Sequence, residues 1–146
     1  MQSLTLRPAT AADAPALADL LEQLFPPRPQ MDALRAGIEE LAAQKGALLL
    51  AAQLPDGSVV GTAMGVACRD LCGQCRRFLV IENVVVREDA HHLGVGRALM
   101  EALEAFAREQ DCGYCLLVSC SSRRGAHRFY EALGYSREAG YRKFLR

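Results

Sequence analysis

The stretch VVVREDAHHLGVGRALM, residues 84–100, decides the fold. It begins as an apolar strand, crosses a loop holding two histidines, and enters a helix that opens on two glycines. Val95, Leu99, Leu103 and Phe106 recur at helical spacing. A helix starting near Gly94 leaves its first amide hydrogens without intrahelical partners. Those amides and the helix dipole make an anion site. Gly94 and Gly96 let a diphosphate approach the backbone, because no side chain stands in the way. Arg97 adds positive charge at the rim. A strand-to-helix turn that needs glycine for its geometry reads the same way, and a lone G-x-G does not separate the two.

Outward from this stretch, strands and helices alternate. SLTLRP alternates like a short strand. Thr10 and Asp13 have the spacing of a capping-box variant, and Pro15 suits a first helical turn. Leu17, Leu20, Leu21 and Leu24 continue that helix, and the prolines of FPPRPQ end it. Met31, Leu34, Ile38 and Leu41 mark a second amphipathic helix. GALLLAAQL, SVVGTAMGVAC and RRFLVIENVVV read as three consecutive strands, with Asp56-Gly57 turning between the first two. The third is apolar at nearly every position, as a strand covered on both faces is. GYCLLVSC is a further strand. Ala126, Phe129, Tyr130 and Leu133 form a short helix stopped at Gly134. YSREAGYRKFL has the pattern of a final hairpin. The expected fold is α/β: one mixed sheet with helices, in a single domain over residues 1–146.

Composition bounds the function. Seventeen basic and seventeen acidic residues cancel, which gives no general attraction to nucleic acid or anionic membrane. The N-terminal MQSLTLRPAT lacks the apolar core of a signal peptide, and no apolar run approaches the roughly 18 residues of a membrane span. A cytoplasmic protein is expected. Six cysteines without a secretory signal argue against a disulfide framework. Cys72-x-x-Cys75 and Cys112-x-x-Cys115 have zinc-ligand spacing. Cys115, however, lies in an apolar strand, so buried free cysteines and no metal are expected.

The segments IENVVV, HHLGVG, CLLVSC and GAHRFYEALGY, in this order, resemble the GNAT superfamily of N-acetyltransferases. These motifs cover about half of the chain. That family has a strand, a Gln/Arg-x-x-Gly-x-Gly/Ala helix start, a second strand and a short tyrosine-bearing helix. The resemblance implies a central mixed, mostly antiparallel sheet with a splayed strand pair, flanked by helices. It implies acetyl-CoA as co-substrate, its pyrophosphate on the amides of Leu93, Gly94, Val95, Gly96, Arg97 and Ala98, beside His91 and His92. The pantetheine arm is then expected along Val84, Val85 and Val86, on a bulged strand. His91 stands where the family has Gln or Arg. Arg123 stands where Asn is frequent, and is a candidate for reaching a phosphate or the arm. A homodimer through the C-terminal strands fits the family as well.

The implied chemistry is attack of a primary amine on a thioester. Such an amine has a solution pKa near 10.4, so its neutral form costs about 4.6 kcal/mol at pH 7. A carboxylate can accept the proton, directly or through water. Glu82 interrupts the most apolar strand of the chain, where burial is expected to raise its pKa and strengthen it as a base. The competing readings are a structural pair, or a place where the strand opens to water. Tyr130 lies on the apolar stripe of its helix and by itself reads as core. The resemblance makes it the partner of the leaving thiolate. A thiol near pKa 8.5 is a stronger acid than a phenol near 10, so full transfer is uphill by roughly 2 kcal/mol. A hydrogen bond from Tyr130 to the thiolate is the simpler role.

Residues 24–31 and 69–77, with Arg28, Arg69, Asp70, Arg76 and Arg77, are expected to flank the acceptor. Their mixed charges leave small amines and peptide amines open. An acyl-CoA-binding sensor without turnover is the alternative, and needs neither Glu82 nor Tyr130.

Overall fold

The computed structural model describes residues 3–146, which form two compact units, one ending at Leu116 and the other Leu117–Arg146. The first holds strands β1 (Thr5–Pro8), β2 (Ala47–Gln53), β3 (Val59–Arg69), β4 (Arg77–Val86) and β5 (Cys112–Leu116), and helices α1 (Ala14–Leu24), α2 (Met31–Ala43) and α3 (Val95–Glu109). The sheet runs β1-β2-β3-β4-β5. Three junctions are antiparallel and the last, β4 with β5, is parallel. This is the mixed α/β sheet expected, and its one parallel junction is the one bridged by a helix, α3.

The local signals act as read. The Thr10 amide donates to Asp13 Oδ2 at 2.8 Å, and Asp13 also takes both Nη1 and Nη2 of Arg7 at 2.8 Å. Arg7, together with that amide, holds the Asp13 carboxyl below its ordinary pKa against the opposing effect of burial. Pro15 stands in the first turn of α1. Gln30 caps α2 by accepting the Ala33 amide at 2.6 Å.

One part of the core lies between α3 and the sheet, and another gathers Leu17 of α1 with Ala9 and Ala51. Val95, Leu99, Met100 and Leu103 are fully buried with Val60, Leu79 and Ile81. Two glycines of β3 set how closely α3 approaches. A Cβ on Gly61 would lie 2.8 Å from Val95 Cγ1 and 3.2 Å from Leu99 Cδ1. One on Gly65 would lie 3.0 Å from Leu79 Cδ2 and 3.2 Å from Leu103 Cδ2. Both contacts are tighter than ordinary packing, so the helix rests on bare backbone at these points.

β4 does not pair regularly. Thr62 faces Val85 and Met64 faces Glu82, so Asn83 and Val84 together oppose the single residue Ala63. This is a β-bulge, and Asn83 sits in it at φ +55°. The bulge exchanges the faces of the strand. Ile81 pairs with Gly65 and Val86 with Gly61, and both glycines face α3. Odd-numbered residues therefore face α3 before the bulge, and even-numbered ones after it.

Three expectations are corrected. β5 ends at Leu116, so Leu117, Val118, Ser119 and Cys120 are not strand. The final hairpin does not form: residues 135–146 hold no regular strand, and Tyr141 is 97% exposed with Phe144 and Leu145 also exposed. The alternation there has no covering layer to bury its apolar side chains. The cysteines are not buried either. Cys72, Cys75 and Cys120 are exposed and Cys68, Cys112 and Cys115 are half-buried, because Cys72 and Cys75 sit in a hairpin loop rather than in a strand.

Candidate active site

The site begins at the bulge. Glu82 is exposed, not buried as its place in the most apolar strand led one to expect. The apolar run around it does not cover it, because Glu82 pairs with Met64 beside the bulge and faces away from α3. Glu82 thus sits where the strand opens to water. Asn83 is exposed as well, Val84 and Val86 are half-buried, and Val85 is buried.

The ladder between β4 and β5 reaches only from Arg77 to Val80 on β4. β4 then runs on through residues 81–86 with pairing to β3 alone, among the strands of the described residues. A stretch of strand whose second edge lacks a ladder presents amides and carbonyls to a ligand.

The chain next turns into α3. Arg87 donates its amide to the Val60 carbonyl at 2.8 Å, and a 3-10 turn over Glu88–Ala90 buries Ala90. The Val86 carbonyl accepts from two side chains, Gln23 Nε2 at 2.9 Å and His91 Nε2 at 2.8 Å. A carbonyl only accepts, so His91 carries its proton on Nε2. Its ring is thereby turned back on β4. His92 and Leu93 are exposed.

Gly94 caps α3 at φ +74°, a left-handed conformation that favours glycine. The first helical bond is Ala98 N–H to the Gly94 carbonyl at 3.1 Å, so the amides of Val95, Gly96 and Arg97 precede the ladder. Among the described residues no side chain caps this end, and no acid occupies its first turn. The exposed Arg97 lies 3.7 Å from Glu101, one turn along. A helix start with no acid in its first turn suits an anion, and Arg97, shared with Glu101, stands beside it.

The second unit carries α4 (Arg124–Ala132), with the exposed Arg123 at its N-cap. Gly134, at φ +93°, ends it as expected. The Tyr135 amide donates to the Tyr130 carbonyl and the Gly134 amide to the Glu131 carbonyl, each at 3.0 Å, in a Schellman motif. The Tyr130 ring is half-buried and meets Phe129 and Tyr135 edge-on, at centroid distances of 5.1 and 6.0 Å. His127 Nε2 donates to the Cys120 carbonyl at 2.8 Å, which fixes the start of α4 to the preceding loop.

Sequence reading missed Gln23 and the Gly61–Gly65 pair. The glycines had a signal, two bare positions four apart in one apolar strand and hence on one face. Gln23 had none, since an amide on the polar side of α1 resembles any solvated residue.

Comparison with known proteins adds to this geometry. The model of the acetyltransferase (GNAT) family matches residues 14–135. The chain is 33% identical over 133 residues to an aminoglycoside N(6')-acetyltransferase type 1 of Stenotrophomonas maltophilia, covering 90% of this chain and 85% of that one. It is 30% identical over 139 residues to glucosamine 6-phosphate N-acetyltransferase 1 of Oryza sativa subsp. japonica, covering 92% and 82%. The fold is shared with AAC(6')-Iy, solved in complex with the bisubstrate analog CoA-S-monomethyl-acetylneamine, at a TM-score of 0.80 and 22% identity over 98% of this chain and 99% of that one.

Proposed function

From the premise that the chain belongs to the GNAT acetyltransferase family, and is an N-acetyltransferase, we propose that it moves the acetyl group of acetyl-CoA to a primary amine by direct attack. The 146 residues act as one catalytic domain, in the cytoplasm. Bound acetyl-CoA supplies an acetyl thioester. One observation carries the reading: a single run of chain joins a bulged strand lacking a β5 ladder to a helix start free of side-chain caps and first-turn acids. The first suits an extended amide-bearing arm and the second suits a pyrophosphate. The CoA-bearing analog of the structural neighbour supports the choice of donor.

In this reading the amides of Val95, Gly96 and Arg97 hold phosphate oxygens, with Arg97 and Arg123 adding charge. Val84, Val85 and Val86 line the arm. Glu82 takes the proton of the attacking amine. Its exposure makes a relay through water the natural route, since an exposed carboxylate keeps an ordinary solvation shell. Tyr130 donates its hydroxyl hydrogen bond to the sulfur as negative charge develops there.

The acceptor is an amine-bearing small molecule. The names of the two relatives point first to amino sugars. Release of CoA thiol, followed with a panel of amino sugars and simple amines, tests this. A protein that binds CoA yet accelerates no transfer across the panel would be the acyl-CoA-binding module instead.

A further inference from the structure

The loop of residues 70–76 between β3 and β4 carries chemistry that acetyl transfer does not use. Cys72 and Cys75 are both exposed there. The Cys75 amide donates to the Cys72 carbonyl at 3.0 Å, closing a turn with the two cysteines at its first and fourth positions. Such a turn holds its terminal Cα atoms within about 7 Å. A disulfide spans about 4.4–6.8 Å between Cα atoms. Gly73 enters the turn at φ +58°, and Cys75 itself takes φ +55°, a region that residues with a Cβ rarely adopt.

Each cysteine is held separately. Asp70 Oδ1 accepts the Cys72 amide at 2.9 Å, and Asp70 Oδ2 accepts the Tyr114 hydroxyl at 2.9 Å. Arg69 Nη1 donates to the Cys75 carbonyl at 3.0 Å. Tyr114 is on β5 and stacks on Phe78 of β4 at a centroid distance of 5.2 Å. The turn is therefore tied to three strands of the sheet.

Cys68 is on β3 and Cys112 and Cys115 on β5, with β4 between. Two strand spacings are about 9–10 Å, beyond the reach of a disulfide. Cys120 belongs to the second unit, where its exposed Sγ lies 3.2 Å from Ser122 Oγ.

We propose that Cys72 and Cys75 are a dithiol site that closes reversibly to an intra-turn disulfide by exchange with a small disulfide of the glutathione class. One thiolate attacks the small disulfide, forms a mixed disulfide and expels one small thiol. The second thiolate attacks the protein sulfur of that mixed disulfide and expels the other. Both electrons pass to the small disulfide, which leaves as two thiols, and the protein cysteines supply the two hydrogens.

The experiment equilibrates the full folded chain with oxidised and reduced glutathione, blocks free thiols, and digests with trypsin. Cleavage after Arg69 and Arg76 yields DLCGQCR, which holds these two cysteines and no others. The expected product is this peptide lacking two hydrogens, restored by dithiothreitol. Cys72→Ser and Cys75→Ser should each replace it with a glutathionyl adduct on the remaining cysteine. The closing equilibrium should favour the disulfide at least about tenfold more in the folded chain than in urea. Cys120 is the internal control, since its exposed thiol should take up glutathione in the same buffers. A DLCGQCR peptide that stays reduced or doubly glutathionylated while Cys120 reacts would overturn the proposal. So would linkage of either cysteine to a different one, or equal closure in folded and unfolded chains. None of these outcomes depends on whether acetyl transfer is observed.

Discussion

His91 Nε2 donates to the carbonyl oxygen of Val86 at 2.8 Å, and Gln23 reaches the same oxygen from α1. The loop leading to α3 is thus fastened to the last residue of β4. This fastening sets the distance between the two stretches proposed to hold the arm and the pyrophosphate. His91→Ala should raise KM for acetyl-CoA several-fold while leaving kcat within about twofold, because ground-state binding is lost without a change in the reacting groups. His91→Gln keeps a donor and should recover most of the loss. Steady-state kinetics with saturating acceptor measures both. A fall in kcat at unchanged KM would remove this role from His91.

The contact between Gly61 and Val95 predicts an overpacking effect. Gly61→Ala places a methyl carbon where only 2.8 Å separates it from Val95 Cγ1. The cost should be about 1–3 kcal/mol of stability. Val95 is the first residue of α3, so the shift should also weaken CoA binding. A urea melt and a calorimetric titration of the same variant check the two effects, and a variant as stable as the parent would show that α3 can move aside freely.

Glu82→Gln should lower turnover most near neutral pH. Above pH 9 more of the acceptor is already the free amine, whose ordinary pKa is near 10.4, so the deficit should shrink. The sign matters here. A base assists only where the amine still carries its proton. An equal deficit at every pH would give Glu82 a positioning role.

Tyr130→Phe keeps the ring that meets Phe129 and Tyr135 and removes the hydroxyl alone. Single-turnover acetyl transfer should fall about ten- to a thousandfold. Acetyl-CoA affinity should hardly change, because charge on sulfur appears only as the bond breaks. Full activity would take Tyr130 out of the mechanism and leave water to meet the thiolate.

Asp13 provides a test of acid stability. Its carboxyl is held below the ordinary range by Arg7, so the folded state gains stability above the unfolded carboxylate pKa near 3.9 and loses it as pH falls through the folded value. Asp13→Asn should melt at a lower temperature than the parent at pH 7. The gap between the two should narrow as pH falls below the unfolded value near 3.9 and through the lowered folded one. Thermal melts across pH 2–7 measure it.

What the sequence announced was local. Thr10 with Asp13, Pro15 and Gly134 each act within a few residues of themselves, and each does what its type and spacing say. Gly94 belongs with them. The family resemblance implied a bulged strand, but placing the bulge at Asn83 required counting residues on two strands at once, and no feature of β4 alone states the number on β3. The misjudged burial of Glu82 follows from that. An apolar run was taken to cover its one acid, whereas the bulge beside Glu82 leaves it open. The missing C-terminal hairpin has the same origin, since alternation in YSREAGYRKFL prescribes faces without supplying anything to cover them.

The bulge makes Asn83 the supernumerary residue of β4. Replacing it by glycine keeps the bulge and relieves the left-handed backbone. Deleting it would leave Val84 alone opposite Ala63, while Val85 and Val86 would keep Thr62 and Gly61 as partners and stay on their present faces. The loss would fall on direction rather than on phase: without the extra residue β4 runs regularly past Ala63, and the bend that turns residues 84–86 is gone.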